Sequence, residues 1–285
     1  IIKSGNLSMF RGTPDGQDGG EWVQKLESAF RYRFGVAHAV ALNSATSALH
    51  AALIACGVHR THEVIVSPFS FSSSASCALM VGAKPVFVDI DENYCIDPNE
   101  VDKVITPKTK AIIPVHLFGH AAQMDKLRNL SLEHNLSLIE DAAQAIGATY
   151  DGRPLGTIGD CGVFSFNQSK HINTGEGGML VTDNDKIARV VRAVRNHAET
   201  SDPELGIVGY NYRLGEIEAY LAYEQLQGLS DEIKARQDVA SYLTHSLLLN
   251  GFLVSYTFSS SYWSYAFRVK NREQVYERCK ANGVI

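Results

Sequence analysis

An α/β architecture, with a mostly parallel central sheet covered by helices on both faces, is the fold class this sequence predicts. Two observations carry it. Between residues 39 and 141 short apolar runs alternate with segments of helical periodicity, and such alternation implies right-handed crossovers between parallel strands. The runs are apolar almost throughout, as in Ala111-Ile112-Ile113-Pro114-Val115, which suits strands buried on both sides.

Taken in order, residues 1–19 are rich in Gly, Asp and Ser and read as an arm or loop. Trp22, Leu26, Phe30 and Phe34 recur four apart and predict one apolar helical face. A strand over 39–42 follows, and Ser44-Ala45-Thr46-Ser47 opens a helix to residue 54. The pattern then predicts strands at 63–67, 85–89, 110–116 and 136–141, with helices at 72–81, 99–104 and 124–134 between them. Strands at 163–166 and 179–182 flank a polar loop. Ile187, Val190, Val191 and Val194 give the next helical face, with Asp183 and Asp185 at its start. A helix over 214–226 is expected to turn Leu214, Ile217 and Leu221 inward. The sequence Gly228-Leu229-Ser230 marks the expected domain boundary. Beyond it the pattern gives a long helix over 231–249, short strands at 252–256 and 265–269, and a helix from Arg272.

Composition bounds the function. The chain has 285 residues, 45% hydrophobic and 20% charged, with a net charge of −5 and no basic run. A nucleic-acid surface needs a basic stripe, so that class is not expected; a small anionic ligand needs only a few local donors. Five scattered cysteines without a CxxC pair read as thiols in a reducing compartment, the cytoplasm. No metal site is expected. No apolar run approaches membrane-spanning length, and no signal peptide is visible. The chain starts at Ile1 and stops at Ile285 just after a helix-like segment, and both ends are expected to be incomplete.

The chemistry centres on one stretch, from Cys161 through Lys170 to Gly178. Lys170 sits between an apolar strand and a turn containing Gly175, Gly177 and Gly178. Alone, this describes a surface lysine on a hairpin as well as a Schiff-base lysine. Asp141 changes the balance. It ends an apolar strand, so its carboxylate is partly desolvated and wants a cation. The protonated ring nitrogen of pyridoxal phosphate meets that demand, and the cofactor draws electrons only while this nitrogen is charged. Lys170 would then hold the cofactor aldehyde and shuttle a proton. The Ser44–Ser47 helix start offers N–H groups to a phosphate, although it also suits an ordinary N-cap. Ser165 adds a hydroxyl. Phe71 could stack on the ring or sit in the core. Gln144, one helical turn past Asp141, could bond the ring oxygen. Ser67, Asp89, His116 and Asp141 each end a strand, and ligands of open α/β sheets bind at such ends.

These residues carry a family resemblance. Glu140-Asp-Ala-Ala-Gln-Ala-Ile-Gly147, Ser165-Phe-Asn-Gln-Ser-Lys170 and Gly175-Glu-Gly-Gly178 resemble blocks of the DegT/DnrJ/StrS sugar aminotransferases. So do Asn43-Ser-Ala-Thr-Ser-Ala-Leu-His50, Gly82-Ala-Lys-Pro-Val-Phe-Val-Asp-Ile-Asp91, Pro114-Val-His-Leu-Phe-Gly119 and Asn211-Tyr-Arg-Leu-Gly-Glu-Ile-Glu-Ala219. The resemblance runs over nearly the whole chain in the family's order. It implies the three-layer fold type I of pyridoxal-phosphate transferases, with a large domain over 1–228 and a partial small α+β domain over 229–285. It also implies roles: Lys170 as the Schiff-base lysine, Asp141 as the ring-nitrogen partner, Gln144 near the ring oxygen and Phe71 stacked on the ring. Ala45, Thr46 and Ser165 would contact the phosphate. Asn211 would reach the cofactor phosphate of a neighbouring subunit, in a homodimer. The implied reaction moves an amine, from glutamate, through pyridoxamine phosphate to a nucleotide-linked keto-sugar.

A sugar dehydratase branch of the family carries histidine at the lysine position; here Lys170 holds it and His171 is next door. A cyclitol acceptor and a non-catalytic regulatory relative are the remaining alternatives. A nicotinamide-binding fold is disfavoured, since no G-x-G-x-x-G follows the first strand.

Overall fold

The computed structural model describes residues 1–11, 18–199, 205–250, 252, 254 and 259–284. Helix α1 (Glu21–Phe34) leads into β1 (His38–Leu42), α2 (Ala45–Ala55), β2 (Glu63–Val66), α3 (Ser73–Met80) and β3 (Lys84–Phe87). Then come α4 (Pro98–Val104), β4 (Thr109–Ile113), α5 (Met124–Glu133) and β5 (Ser137–Asp141). A small hairpin, β6 (Thr149–Tyr150) with β7 (Arg153–Pro154), precedes β8 (Cys161–Ser165) and β9 (Gly178–Thr182). Helices α6 (Asp185–Arg195), α7 (Glu216–Gln227), α8 (Leu229–Leu249) and α9 (Arg272–Ala281) follow. No described helix is long and apolar enough to cross a membrane.

The described strands other than the hairpin form one seven-stranded sheet in the order β1-β9-β8-β5-β4-β2-β3. Pairs from β8 to β3 are parallel, while β9 runs antiparallel to both β1 and β8. The chain between β8 and β9 contains no crossover helix, so it can only return as a hairpin.

Side-chain alternation splits the core into two layers. Ala39, Ala41, Ile65, Ile112, Leu138, Phe164, Met179 and Val181 face one helical layer, which includes α1, α5 and α7. Val40, Leu42, Val64, Ile113, Ile139, Val163 and Leu180 face the other, which includes α2 and α6. The sheet is thus buried on both sides, as the near-continuous apolar runs require.

Several expectations need correction. Helix α1 buries Val23, Leu26, Glu27, Phe30 and Phe34, while Trp22 is half-buried and stands edge-on to Tyr220. In α7 the inward face is Glu216, Ala219, Ala222 and Leu226; Leu221 is exposed and Ile217 only half-buried. Close helix–helix packing onto α1 favours the small residues, and Glu216 is drawn in because its carboxylate accepts the N–H groups of Trp22 (2.9 Å) and Val23 (3.3 Å) at the start of α1. Helix α6 begins at Asp185, as expected, with Asn184 as its N-cap; Asp183 accepts from Ala37 N–H and Asp185 meets His38. Residues 265–269 are irregular apart from a bridge at Arg268. The expected strand over 252–256 lies mostly outside the described residues.

One buried ion cluster locks α1, β1 and α6 together. Arg195, fully buried, donates to Glu27 Oε1 (2.6 Å) and to the Ala41 carbonyl (3.0 Å). Glu27 also accepts from Ala41 N–H (2.9 Å) and from Arg192 (3.0 Å). Removing one partner leaves an uncompensated buried charge. Glu27→Ala is therefore expected to lower the unfolding free energy by about 3–5 kcal/mol, read as a fall in the urea midpoint. The paired change Glu27→Leu with Arg195→Met is expected to cost less than Glu27→Ala alone.

Candidate active site

The antiparallel placement of β9 brings three chain segments to one edge of the sheet. Its first residue, Gly178, pairs with Leu42 at the end of β1 and with Ser165 at the end of β8. A Cβ on Gly178 would lie 2.5 Å from the Ser44 carbonyl carbon and 2.6 Å from the Ala45 nitrogen. Glycine is needed there for close approach rather than for positive φ; it is Gly175 and Gly177 that have positive φ, +83° and +155°. The start of α2 is thereby pressed against the strand ends, beside a cavity of about 550 Å³.

The residues expected to hold an anion line that cavity. Ser44 is an N-cap, its Oγ accepting from Ser47 N–H at 3.0 Å. The next two amides, of Ala45 and Thr46, make no hydrogen bond among the described residues and line the cavity. Unspent N–H groups at a helix start favour a phosphate through both bonding and the dipole. Ser165 Oγ accepts from Asn167 N–H at 3.3 Å, which leaves its own proton to donate.

Asp141 and Lys170 line the same cavity. The Asp141 carboxylate is buried. Its Oδ2 accepts from the Ser74 hydroxyl at 2.7 Å and its Oδ1 from Ala143 N–H at 3.2 Å. Burial pushes this carboxyl above the ordinary carboxylate range, against the downward pull of these two bonds and of Lys170. Burial likewise pushes the Lys170 ammonium below its ordinary value, against the attraction of Asp141. The Lys170 Nζ stands 4.2 Å from the ring centroid of Trp263, a cation–π contact. A carboxylate with lone pairs to spare, an amine held near it and unpaired amides at a helix start together fit a flat cationic ring carrying an anionic arm.

Gln144 lines the cavity with a fixed orientation. Its Oε1 accepts from Phe118 N–H at 2.7 Å, so its amide NH₂ is the group left to donate. Phe71 lines the cavity and is 70% exposed, so it is not a core aromatic. Asn211 is not among the residues lining the cavity of its own chain; its Oδ1 accepts from Arg213 Nε at 2.9 Å.

Of the four polar strand ends, only Asp141 lines the cavity. Ser67 and Asp89 accept from nearby backbone N–H groups of Phe69 and Ile90. Strand β3 lies three places from β5 in the sheet, about 14 Å at ordinary strand spacing, too far for Asp89 to share a site with Asp141. His116 is fully buried; its Nδ1 accepts from Ala122 N–H, so its Nε2–H donates to Glu140 at 2.9 Å. Burial alone would raise the Glu140 carboxyl, but His116 and the N–H groups of Gly156 and Gly159 hold it below the usual range. His171 is buried and its Nε2 meets the Ser261 carbonyl at 2.9 Å.

Among the residues that escaped the sequence reading are Ser74, which bonds Asp141, and Trp263, which lines the cavity. Ser74 lay within a run of serines that gave no sign of which one faces Asp141. Trp263 belongs to no motif and is carried back onto the site by long-range bonds: its Nε1 donates to Ser169 O at 2.7 Å, and Ser260 Oγ donates to Gly119 O at 2.8 Å. Among the described residues no group of three or more His, Cys, Asp or Glu could hold a metal ion.

Comparison with known proteins identifies the family. Residues 14–285 match the model of the DegT/DnrJ/EryC1/StrS aminotransferase family. GDP-perosamine synthase of Caulobacter vibrioides is 38% identical over 280 residues, covering 93% of this chain and 75% of that protein. Six further curated relatives at 36–40% identity are spanned over only 59–63% of their own length. Among solved structures, a DegT/DnrJ/EryC1/StrS aminotransferase from Brucella abortus superimposes with a TM-score of 0.91 at 29% identity, covering 99% of this chain and 76% of that one. NtdA from Bacillus subtilis, solved with bound cofactor PMP, gives 0.87 at 26% identity, covering 99% and 64%. The chain belongs to the DegT/DnrJ/EryC1/StrS aminotransferase family.

Proposed function

We propose that this protein is a pyridoxal-phosphate-dependent aminotransferase that moves an amine, from glutamate, to a nucleotide-linked keto-sugar and so makes an amino sugar. The observation that carries the reading is the convergence of Lys170, Asp141 and the unpaired amides of α2 on one cavity. When bound, the cofactor supplies an aldehyde that captures amines and a protonated ring that takes up electron density from the adjoining carbon. The remaining work falls to the chain. Asp141 holds the proton on the ring nitrogen. The Ala45 and Thr46 amides and the Ser165 hydroxyl bind the phosphate, and Gln144 donates to the ring oxygen. Phe71, exposed at the cavity mouth, has room to lie against the ring. Lys170 would hold the cofactor through its amine, and the same amine would serve as the base that moves a proton at the substrate carbon.

Support for the acceptor class comes from the named relative, a GDP-sugar enzyme. We also propose a division into a larger unit over 1–228 and a smaller one over 229–285, the smaller supplying Trp263 to the cavity wall. A homodimer would employ Asn211, which lies outside its own cavity, at a partner's phosphate. The five free cysteines fit a reducing compartment, the cytoplasm. A dehydratase reading is weakened because His171 is buried and bonded to Ser261 rather than lining the cavity.

Incubation with pyridoxal phosphate followed by borohydride reduction is expected to place a pyridoxyl group on Lys170, read by peptide mass spectrometry. A label on another residue would sink the assignment. Lys170→Ala is expected to lose that label and to lower turnover of keto-sugar by about 10²–10⁴-fold. Because burial lowers the Lys170 pKa, its neutral amine grows in as pH rises through a midpoint below that of an ordinary lysine. The rate of cofactor capture by the apo protein is expected to follow that curve in stopped-flow absorbance. Gly178→Ala is expected to force Ser44 and Ala45 away from β9 at a cost of about 1–3 kcal/mol, and to weaken binding of pyridoxal phosphate more than that of unphosphorylated pyridoxal.

A further inference from the structure

We infer that Ser74 is a positioning residue for the reaction: its hydroxyl holds Asp141 as an oriented anion, so that the proton shared with the cofactor ring stays on the ring. The inference rests on the aminotransferase reading above. Ser74 is fully buried in the first turn of α3, and its Oγ stands 2.7 Å from Asp141 Oδ2. Ser70 lies 3.1 Å from the same Oγ. With the Ser74 proton committed to the carboxylate, Ser70 must be the donor to Ser74. The two hydroxyls therefore form a directed chain ending on Oδ2, and each bond polarises the next.

This chain matters because Asp141 sits in surroundings that favour its neutral form. A protonated Asp141 would be useless as partner to a ring cation. Charged or titratable groups face it from three sides: Lys170 on the loop after β8, His116 on the segment after β4, and Cys77 on α3. Of these, Lys170 is the cation that would be consumed on binding the cofactor aldehyde. Its charge is therefore not a fixed partner, and Asp141 also needs bonds that do not involve the cofactor-binding amine. Ser74 and the Ala143 amide are those bonds. Hydrogen bonds to an ionised acceptor are about twice as strong as neutral ones, which makes the hydroxyl a large part of what keeps this carboxylate charged. The bond also fixes the carboxylate's rotation, so that lone pairs not used by Ser74 and Ala143 are the ones left for the ring N–H.

The test compares Ser74→Ala and Ser74→Thr with the unchanged full-length protein, each loaded with pyridoxal phosphate labelled with ¹⁵N in the ring. In the unchanged protein the ring nitrogen resonance is expected in the protonated range across neutral pH. In Ser74→Ala it is expected to move toward the unprotonated range. The acid limb of the kcat profile should rise in pH, and affinity for pyridoxamine phosphate should fall about tenfold. The sign follows from losing a bond that lowers the Asp141 proton affinity: the anion then disappears at a higher pH. Ser74→Thr, which keeps the hydroxyl, is expected to restore all three. A ring resonance and acid limb unmoved in Ser74→Ala would overturn the inference while leaving the aminotransferase reading intact, provided Lys170 still takes the reducible label. A Ser74→Thr protein that binds cofactor but behaves like Ser74→Ala would also overturn it. Failure of the unchanged protein to take the label on Lys170 would instead overturn the reading on which the inference rests.

Discussion

A carboxylate buried at the end of a central strand is destabilising unless its lone pairs are occupied and its charge is met. At Asp141 the chain meets the first demand with Ser74 and Ala143 and leaves the second partly open, toward a cavity that also holds Lys170. Both groups are pushed toward their neutral forms by burial, and each opposes the shift in the other. That mutual dependence at the wall of one cavity is the physical core of the site. The surrounding elements can be understood as devices that keep the two groups there.

The sheet is the first such device. Because β9 turns back between β8 and β1, the ends of two strands and the start of α2 share one edge. Gly178 permits the contact by having no side chain where the Ser44–Ala45 peptide sits. The Glu27–Arg195 cluster serves the same end from below, tying α1, β1 and α6 through a carboxylate that bonds two arginines and a strand amide. Buried charge of this kind is a poor source of stability but a strong penalty on misplacement.

The last part of the described chain closes the site from above. Residues 260–263 reach back to Gly119, Ser169 and His171 through backbone and side-chain bonds, and Arg236 of α8 donates to the carbonyls of Tyr262 and Trp263. Trp263 is thereby set over the lysine amine. Its position depends on contacts between residues roughly ninety apart in sequence for His171 and Ser261, so no local pattern announces it.

The layered α/β plan and the strand and helix order were legible in the periodicity, which is a local property, while the cluster of Lys170, Asp141, Gln144, Ser165, Ala45 and Thr46 was singled out by its chemistry together with the family resemblance of the surrounding motifs. Elements whose partners lie elsewhere were read less well. The inward face of α7 was misjudged because packing against α1 selected Ala219 and Ala222 over Leu221. Three of four polar strand ends proved to serve local turns or a buried pair, since sheet order, not sequence order, decides which ends are neighbours. The sequence by itself determined which groups could do the chemistry and that they sit at strand ends and a helix start. Only the tertiary structure decided that Ser74 is the serine facing Asp141, that Gly178 serves close approach, and that Trp263 covers Lys170. Each of those outcomes depends on distances between segments far apart in the chain, which burial and strand register set and which no stretch of residues encodes alone.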